Sequence, residues 1–212
     1  MVTELVFILD RSGSMSGLES DTIGGFNSLL TKQKQEEGEA FITTVLFDDK
    51  LETLHDRISI HKIDKMTNKE YYVRGCTAML DAIGKTIEHI TNIHKYIRKE
   101  DVPTKTMFII TTDGMENASK EYNYEMVKKL IQQKKELGWE FLFLGANIDA
   151  EVTANKFGIE KDRAVNFHND SEGIALNYEC ISEAVSTIRS SKVMSDSWKQ
   201  RIDEDYKNRL KD

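Results

Sequence analysis

The sequence predicts an α/β fold built on an open, mostly parallel β-sheet. Three observations lead to this prediction. Short, continuous apolar blocks recur along the 212-residue chain, segments with helical periodicity separate most of them, and one pair of blocks has no room for a helix in between. Continuous apolar blocks are typical of strands covered on both faces, and their alternation with helices indicates βαβ units. We therefore expect parallel strands and one antiparallel hairpin.

The predicted strands are short and rich in β-branched and aromatic residues. The strong blocks lie at 5–9, 41–47, 107–112 and 141–145, and a weaker one lies at 164–167. A buried helix segment would also be apolar throughout, but lengths of about five to seven residues favour strands. The block at 41–47 is followed by Asp-Asp-Lys and then by residues 51–60. This pair predicts a hairpin, so one edge strand should run antiparallel to the others.

Four apolar stripes with a spacing of three or four residues predict helices. The first stripe follows the first strand, and the others lie before or after the later strands. Their members are Ile23, Phe26 and Leu30; Leu80, Ile83, Ile87, Ile90 and Ile97; Val127, Leu130, Ile131 and Leu137; and Ile174, Tyr178, Ile181, Val185 and Ile188. In the third helix, Asn123 is the predicted N-cap and Gly138 the predicted stop.

The composition predicts one domain followed by a short tail. The chain has a single proline and no Gly/Ser-rich linker or repeat, so we expect residues 1–190 to form one domain. Residues 191–212 are strongly charged but carry apolar residues four apart: Trp198, Ile202, Tyr206 and Leu210. This spacing predicts an amphipathic helix that docks on the domain, with partner contact and fraying as alternatives. Ser195 or Ser197 is its predicted cap.

Charge and cysteine content exclude several classes of function. The formal net charge of −7 argues against nucleic-acid binding. Two cysteines are too few for a disulfide framework and lack zinc-site spacing. No apolar run approaches the roughly 20 residues that cross a bilayer, and Glu4 and Asp10 come too early for a signal peptide. We therefore expect a cytoplasmic protein without nucleic-acid or membrane partners.

Oxygen-bearing side chains follow the ends of the predicted strands. Asp10, Ser12 and Ser14 come after the first strand, Asp113 follows the strand at 107–112, and Thr77 opens the central helix. Ligands bind at this end of open α/β sheets. Helix capping would explain each stretch separately. Together, the oxygen atoms of the five side chains suit a hard divalent cation. Because the set needs neither His nor Cys, zinc is disfavoured.

Three motifs in chain order resemble the metal-ion-dependent adhesion site (MIDAS) of von Willebrand factor A domains: DRSGSM after the first strand, Thr77 ahead of a helix, and TDG after a later strand. The resemblance covers about residues 1–190. It implies a Rossmann-like three-layer α/β fold, with helices on both faces of a six-stranded, mostly parallel sheet and one antiparallel edge strand. It also implies that Ser12 and Ser14 reach the metal directly. Asp10, Thr77 and Asp113 would act directly or through bound water.

Several residues near this motif have roles of their own. Arg11 occupies the variable position of DxSxS and is expected to point to solvent. Cys76 stands where similar domains often carry glycine, and is expected to be a half-buried filler, with a redox-sensitive thiol as the alternative. Asp81 either supports the site or is an ordinary polar helix residue. Asn147 is expected to line the rim, and Asp149 to cap a helix.

The charges of the predicted site favour binding over catalysis. Two carboxylates offset a divalent cation and hydroxyls add no charge, so the cation can still accept an Asp or Glu from a partner, as the family is understood to do. We expect a non-enzymatic protein-interaction module that depends on Mg²⁺, with Mn²⁺ or Ca²⁺ as alternatives; the oligomeric state is open.

There are two alternatives to this function. A haloacid dehalogenase-type hydrolase would use Asp10 as nucleophile, but Ser12 stands where its acid–base Asp is needed. A relic that no longer binds metal is a third reading.

Overall fold

The computed structural model describes residues 2–210. Its centre is a six-stranded sheet with the order β3-β2-β1-β4-β5-β6. The β2–β3 pair is antiparallel and the other four pairs are parallel. The strands are β1 (Val2–Asp10), β2 (Glu39–Phe47), β3 (Leu51–Ser59), β4 (Lys105–Thr112), β5 (Glu140–Gly145) and β6 (Ala164–Asn166). The predicted mixed sheet with an antiparallel edge strand is confirmed.

Helices cover both faces of this sheet. Those on one face are α1, α5 and α6, and those on the other are α2, α3 and α4. Their bounds are α1 (Glu19–Gln33), α2 (Met79–Tyr96), α3 (Tyr124–Glu136), α4 (Ala150–Lys156), α5 (Ser171–Arg189) and α6 (Gln200–Arg209). None of the helices within residues 2–210 has the length and apolar character that a membrane span requires.

Strand β1 shows why the apolar blocks are continuous. Leu5, Phe7 and Leu9 pack into the core under α1 and α5, whereas Val6 and Ile8 pack into the core under α2 and α3. Successive side chains of a strand point to opposite faces, so a strand with a helical layer on each side needs apolar residues at every position. This arrangement places β1 at the centre of the molecule.

The helix ends agree with the sequence at some positions and differ at others. Asn123 caps α3 as predicted, because its side chain accepts a hydrogen bond from the Met126 N–H, and Asp149 caps α4 in the same way. The inclusion of Leu137 in the apolar stripe of α3 is wrong, since its side chain is 70% exposed. The reason is that α3 ends at Glu136 and the chain turns away through Gly138, whose φ is +81°.

The segment after α5 returns to the sheet beside β6. Trp198 and Ile202 are buried in the same core as α1 and α5, and the Lys199 ammonium donates to the carbonyl of Ala164 in β6 at 2.7 Å. Ser195 stands at the N-cap position of the short helical turn Asp196–Lys199 that leads into α6, but its hydroxyl contacts that of Ser197 and forms no capping hydrogen bond. Residues 211 and 212, the end of the predicted tail, lie outside the described residues.

Candidate metal site

The candidate site lies where the strand order reverses. Strands β1 and β4 are parallel neighbours, with Leu9 opposite Thr111, so Asp10 at the end of β1 lies beside the residues that follow β4. From these two strands the chain proceeds to opposite sides of the sheet, to β2 from β1 and to β5 from β4. Such a switch point leaves a crevice at the carboxyl ends of the strands. The residues predicted from the sequence meet there.

Short hydrogen-bond contacts join four of these residues, Asp10, Ser12, Ser14 and Asp113. The Ser14 hydroxyl donates to Oδ1 of Asp113 at 2.6 Å and lies 3.1 Å from Oγ of Ser12. One oxygen of Asp10 accepts from the Ser12 N–H at 2.7 Å, and the other accepts from the Thr112 hydroxyl at 2.6 Å. The loop after β1 therefore touches the loop after β4 through side-chain oxygens.

The surroundings of Gly114 place the Thr77 hydroxyl near that of Ser14. A Cβ placed on Gly114 would lie 3.5 Å from Oγ of Ser14 and 3.6 Å from Oγ1 of Thr77. The two hydroxyls thus converge on a small volume that the glycine leaves free. All five predicted ligand residues, Thr77 included, are therefore assembled at one end of the sheet.

The donor set fits a hard divalent cation. Octahedral Mg²⁺, with oxygens at 2.0–2.1 Å, holds neighbouring ligand oxygens about 2.9 Å apart, close to the 2.6 and 3.1 Å separations at Ser14. Within residues 2–210, no group of three or more His, Cys, Asp or Glu side chains is arranged to hold a metal. A cation here would therefore depend on hydroxyl oxygens, which suit Mg²⁺ better than zinc.

The two carboxylates are electrostatically costly without a cation. Asp10 and Asp113 are each only 1% exposed. Burial raises the pKa of Asp10 to about 6 even though Thr112 and Ser12 donate to it, and the charge of Asp113 adds a smaller upward contribution. Burial also raises the pKa of Asp113, against the hydrogen bonds from Ser14 and Asn169. A bound cation would relieve this cost by stabilising the ionised forms.

The loop after β4 holds Thr77 in place. The Thr77 N–H donates to Oδ1 of Asn117 at 2.9 Å, and the Thr77 carbonyl accepts from the N–H groups of Asn117 and Ala118. In the same loop, Glu116 accepts a hydrogen bond from the Leu80 N–H at the start of α2. Thr77 is therefore fixed by the residues that follow Asp113 in the chain.

Asp81 fastens this loop to α2. Its carboxylate accepts hydrogen bonds from the backbone N–H groups of Lys120, Glu121 and Tyr122 at 2.8–3.0 Å. Burial acts to raise the pKa of Asp81, but these three donors outweigh it and the pKa lies below its ordinary value. Asp81 thus supports the candidate site indirectly, through the loop that contacts Thr77.

The expectation that Arg11 points to solvent is wrong. Its side chain is fully buried, with Nε 2.8 Å from Oδ2 of Asp48 and Nη1 2.8 Å from Oε2 of Glu52. Arg74 binds the same Asp48 oxygen at 2.8 Å. The hairpin between β2 and β3 supplies both acidic residues, and their charge makes burial of the guanidinium tolerable. This ion-pair cluster fixes the motif loop to the edge of the sheet.

The expectation for Cys76 is also wrong, because this residue is exposed instead of half-buried. It follows Gly75, whose φ of +68° lies in the left-handed region, and which packs against Asp49 so closely that a Cβ would fall 2.2 Å from Oδ1. A side chain at position 75 would therefore be strained by the backbone conformation and would have to displace the end of the Asp49 side chain. The turn directs the Cys76 thiol outward, next to Thr77.

Three contacting residues were not predicted from the sequence. Asn169, in the loop after β6, donates through Nδ2 to Oδ2 of Asp113 at 2.9 Å. The Tyr71 hydroxyl donates to the Asp10 carbonyl at 2.5 Å, and Thr112 donates to the Asp10 carboxylate. Asn147, expected at the rim, donates to the Asp113 carbonyl at 3.3 Å. The only available signal for Asn169 was its position just beyond the weakest strand block.

Comparison with known proteins identifies the fold. No family model and no curated protein matches the sequence. Among solved structures, proximal thread matrix protein 1 from the mussel byssus, with a zinc-occupied MIDAS motif, has a TM-score of 0.57 at 15% identity over 87% of this chain and 46% of that chain. Manganese-loaded TRAP protein of Plasmodium vivax has a TM-score of 0.58 at 18% identity, covering 82% of this chain and 70% of that chain.

A von Willebrand factor type A protein from Catenulispora acidiphila is similar as well, with a TM-score of 0.55 at 14% identity over 87% of this chain and 42% of that chain. The chain thus spans less than half the length of the mussel and Catenulispora proteins. Identities this low show the fold alone. The architecture is the Rossmann-like fold of von Willebrand factor A domains, as the sequence resemblance implied.

Proposed function

We propose that this chain is a protein-binding module that depends on a divalent cation. The cation is Mg²⁺, with Mn²⁺ or Ca²⁺ as alternatives. Ser12 and Ser14 bind it directly, and Asp10, Thr77 and Asp113 bind it directly or through bound water. The observation that carries the proposal is the convergence of two buried carboxylates and three hydroxyls at the switch point of the sheet. The metals named for the mussel and Plasmodium structures support a cation in this fold.

The five residues make two kinds of contribution to cation binding, charged and neutral. Asp10 and Asp113 balance the two positive charges, and the hydroxyls of the other three residues coordinate without adding charge. The bound cation supplies an electrophilic position that can accept a further oxygen. Ser14 is exposed at the surface, so a partner can approach from that side. The partner ligand in this proposal is the carboxylate of an Asp or Glu.

Binding explains the geometry better than phosphoryl transfer. A nucleophilic Asp10 would need one free, accessible oxygen, but it is 1% exposed and both its oxygens accept hydrogen bonds. Ser12 cannot replace an acid–base carboxylate near neutral pH. We expect no turnover of phosphomonoesters above background in Mg²⁺ or Mn²⁺. Repeated turnover that Asp10→Asn abolishes would favour the hydrolase.

We further propose a cytoplasmic setting and a protein partner in preference to nucleic acid or membrane. The net charge of −7 disfavours association with phosphates. Cys76 is an exposed free thiol and Cys180 a buried one, and unpaired thiols of this kind persist in a reducing compartment. Fractionation of cells, with immunodetection of the native protein, tests the compartment.

Affinity capture from native lysate tests the proposed function. The parent, Thr77→Ala and the matched control Thr31→Ala, on the exposed face of α1, would each be used as bait in Mg²⁺ and in EDTA. We expect the parent and the control to capture the same proteins in Mg²⁺ and to lose them in EDTA. A folded Thr77→Ala should capture them weakly in both buffers. Partners that persist in EDTA would contradict the proposal.

A further inference from the structure

The carboxylate of Asp113 is held from two sides. Ser14 donates to Oδ1 at 2.6 Å, and Asn169 donates to Oδ2 at 2.9 Å. Asn147 holds the backbone carbonyl of the same residue. Ser14 is one of the proposed metal ligands, whereas Asn169 comes from a fourth loop, between β6 and α5. The direction of the Asp113 carboxylate therefore depends on a residue outside the five-residue motif.

The other end of the Asn169 amide has no partner. Only the NH₂ group can face a carboxylate, so the chemistry fixes the amide orientation and leaves Oδ1 as an acceptor. This Oδ1 is buried and accepts no hydrogen bond from any of residues 2–210. Buried acceptors are nearly always satisfied in folded proteins. The unsatisfied Oδ1 is a cost to folding, which indicates that the asparagine is present for the contact that its Nδ2 makes with Asp113.

The loop that carries Asn169 is itself fixed. Asp170 caps α5 by accepting from the Gly173 N–H at 2.9 Å, and the His168 ring contacts the Tyr206 carbonyl of α6 at 3.1 Å. A Cβ on Gly173 would lie 2.1 Å from the His168 carbonyl oxygen, so the loop packs tightly onto the start of α5. Asn169 is therefore presented to Asp113 from a preorganised position.

We propose that Asn169 is a positioning residue of the metal site. It holds Oδ2 of Asp113 through Nδ2, so that Oδ1 of the same carboxylate stays beside the Ser14 hydroxyl in the orientation that cation binding requires. This inference rests on the proposed function, because it concerns the same cation. Outer partners that orient metal ligands typically change metal affinity by about 10- to 100-fold when they are removed.

Titration calorimetry with Mg²⁺ on the full chain tests the proposal. The variants are Asn169→Ala, Asn169→Ser in case the alanine variant does not fold, and the matched control Asn92→Ala on the exposed side of α2. We expect Asn169→Ala to bind Mg²⁺ about 10- to 100-fold more weakly than the parent. The control should bind like the parent. The electron paramagnetic resonance spectrum of bound Mn²⁺ should change in the Asn169 variants alone, since the Asp113 carboxylate would no longer be held in one orientation.

Thermal melts separate positioning from general stability. We expect Asn169→Ala to melt slightly below the parent in EDTA, because Asp113 loses a donor, and further below it in Mg²⁺. An Mg²⁺ affinity within twofold of the parent, or equal melting losses in both buffers, would overturn the role of Asn169. A parent that binds neither Mg²⁺, Mn²⁺ nor Ca²⁺ would instead overturn the proposed metal site, and this assignment with it.

Discussion

Replacing Asp10 by asparagine should stabilise the metal-free protein. The substitution keeps the shape of the side chain and removes one buried charge. The Ser12 N–H can still donate to the remaining oxygen, and the new NH₂ group would face the Thr112 hydroxyl. That hydroxyl can redirect its proton to the Gly114 carbonyl, 3.2 Å away. The hydrogen-bond network therefore survives the change.

The magnitude follows from the pKa of Asp10, which burial raises from 3.8 to about 6. A shift of about two units corresponds to roughly 3 kcal/mol, as an order of magnitude. The pKa of Asp10 is higher in the folded state than in the unfolded state. Ionisation of this carboxyl therefore destabilises the folded state relative to the unfolded state. The parent therefore loses stability as the pH rises from about 4 to 6, and the full cost remains at pH 7.

Thermal melts in EDTA between pH 4 and 8, followed by circular dichroism, measure this effect. At pH 7.5 Asp10→Asn should melt roughly 6–12 °C above the parent, and the difference should vanish near pH 4. Mg²⁺ at about 100 times its dissociation constant should add about 2.7 kcal/mol to the parent and little to the variant. A variant that melts below the parent in EDTA at pH 7.5 would show that Asp10 mainly anchors the loop, and would refute the electrostatic argument.

Two further predictions concern the packing of the fold. Arg11→Met should lower the free energy of unfolding by about 3 kcal/mol in urea denaturation, because Asp48 would remain buried with only one of its two guanidinium partners, Arg74; an unchanged midpoint would contradict this. On α1, Gly25→Ala should destabilise by about 1–3 kcal/mol, since its Cβ would fall 2.2 Å from the Tyr178 ring. Its neighbour Gly24→Ala meets nothing within 4 Å and should stabilise by about 0.5–1 kcal/mol. Equal effects at both glycines would refute the steric argument.

Sequence patterns could predict the strands and the antiparallel edge strand because these depend on local signals. Strand β1 is apolar at consecutive positions since both its faces are covered, and Asn123 caps α3 because it lies just ahead of the apolar period. The hairpin followed from the short spacing between two blocks. In contrast, the burial of Arg11 depends on Asp48 and Glu52, which lie 37 and 41 residues away. No local pattern around Arg11 indicates these partners.

The same distinction applies to the candidate site. Four of the five motif residues lie at or just after the ends of β1 and β4, and the parallel topology alone predicts that these strand ends meet at one edge. Asn169 also follows a strand, but β6 has only three residues and gives a weak signal. Its contact with Asp113 depends on the path of the loop into α5, where Asp170 sets the start of the helix. Spacing rules do not specify such a path.

The return of the chain beside β6 has a consequence for aggregation. Edge strands offer unpaired backbone groups to other chains, and natural proteins protect them with charge, shortness or cover. At one edge of the sheet, β3 carries the charged residues Asp56 and Arg57. At the other edge, β6 is only three residues long, and the Lys199 ammonium binds its Ala164 carbonyl. Trp198 covers apolar surface nearby. A chain that ended before this segment would expose a strand edge and apolar core surface side by side. The C-terminal segment thus acts against edge-to-edge pairing of copies, independently of any cation.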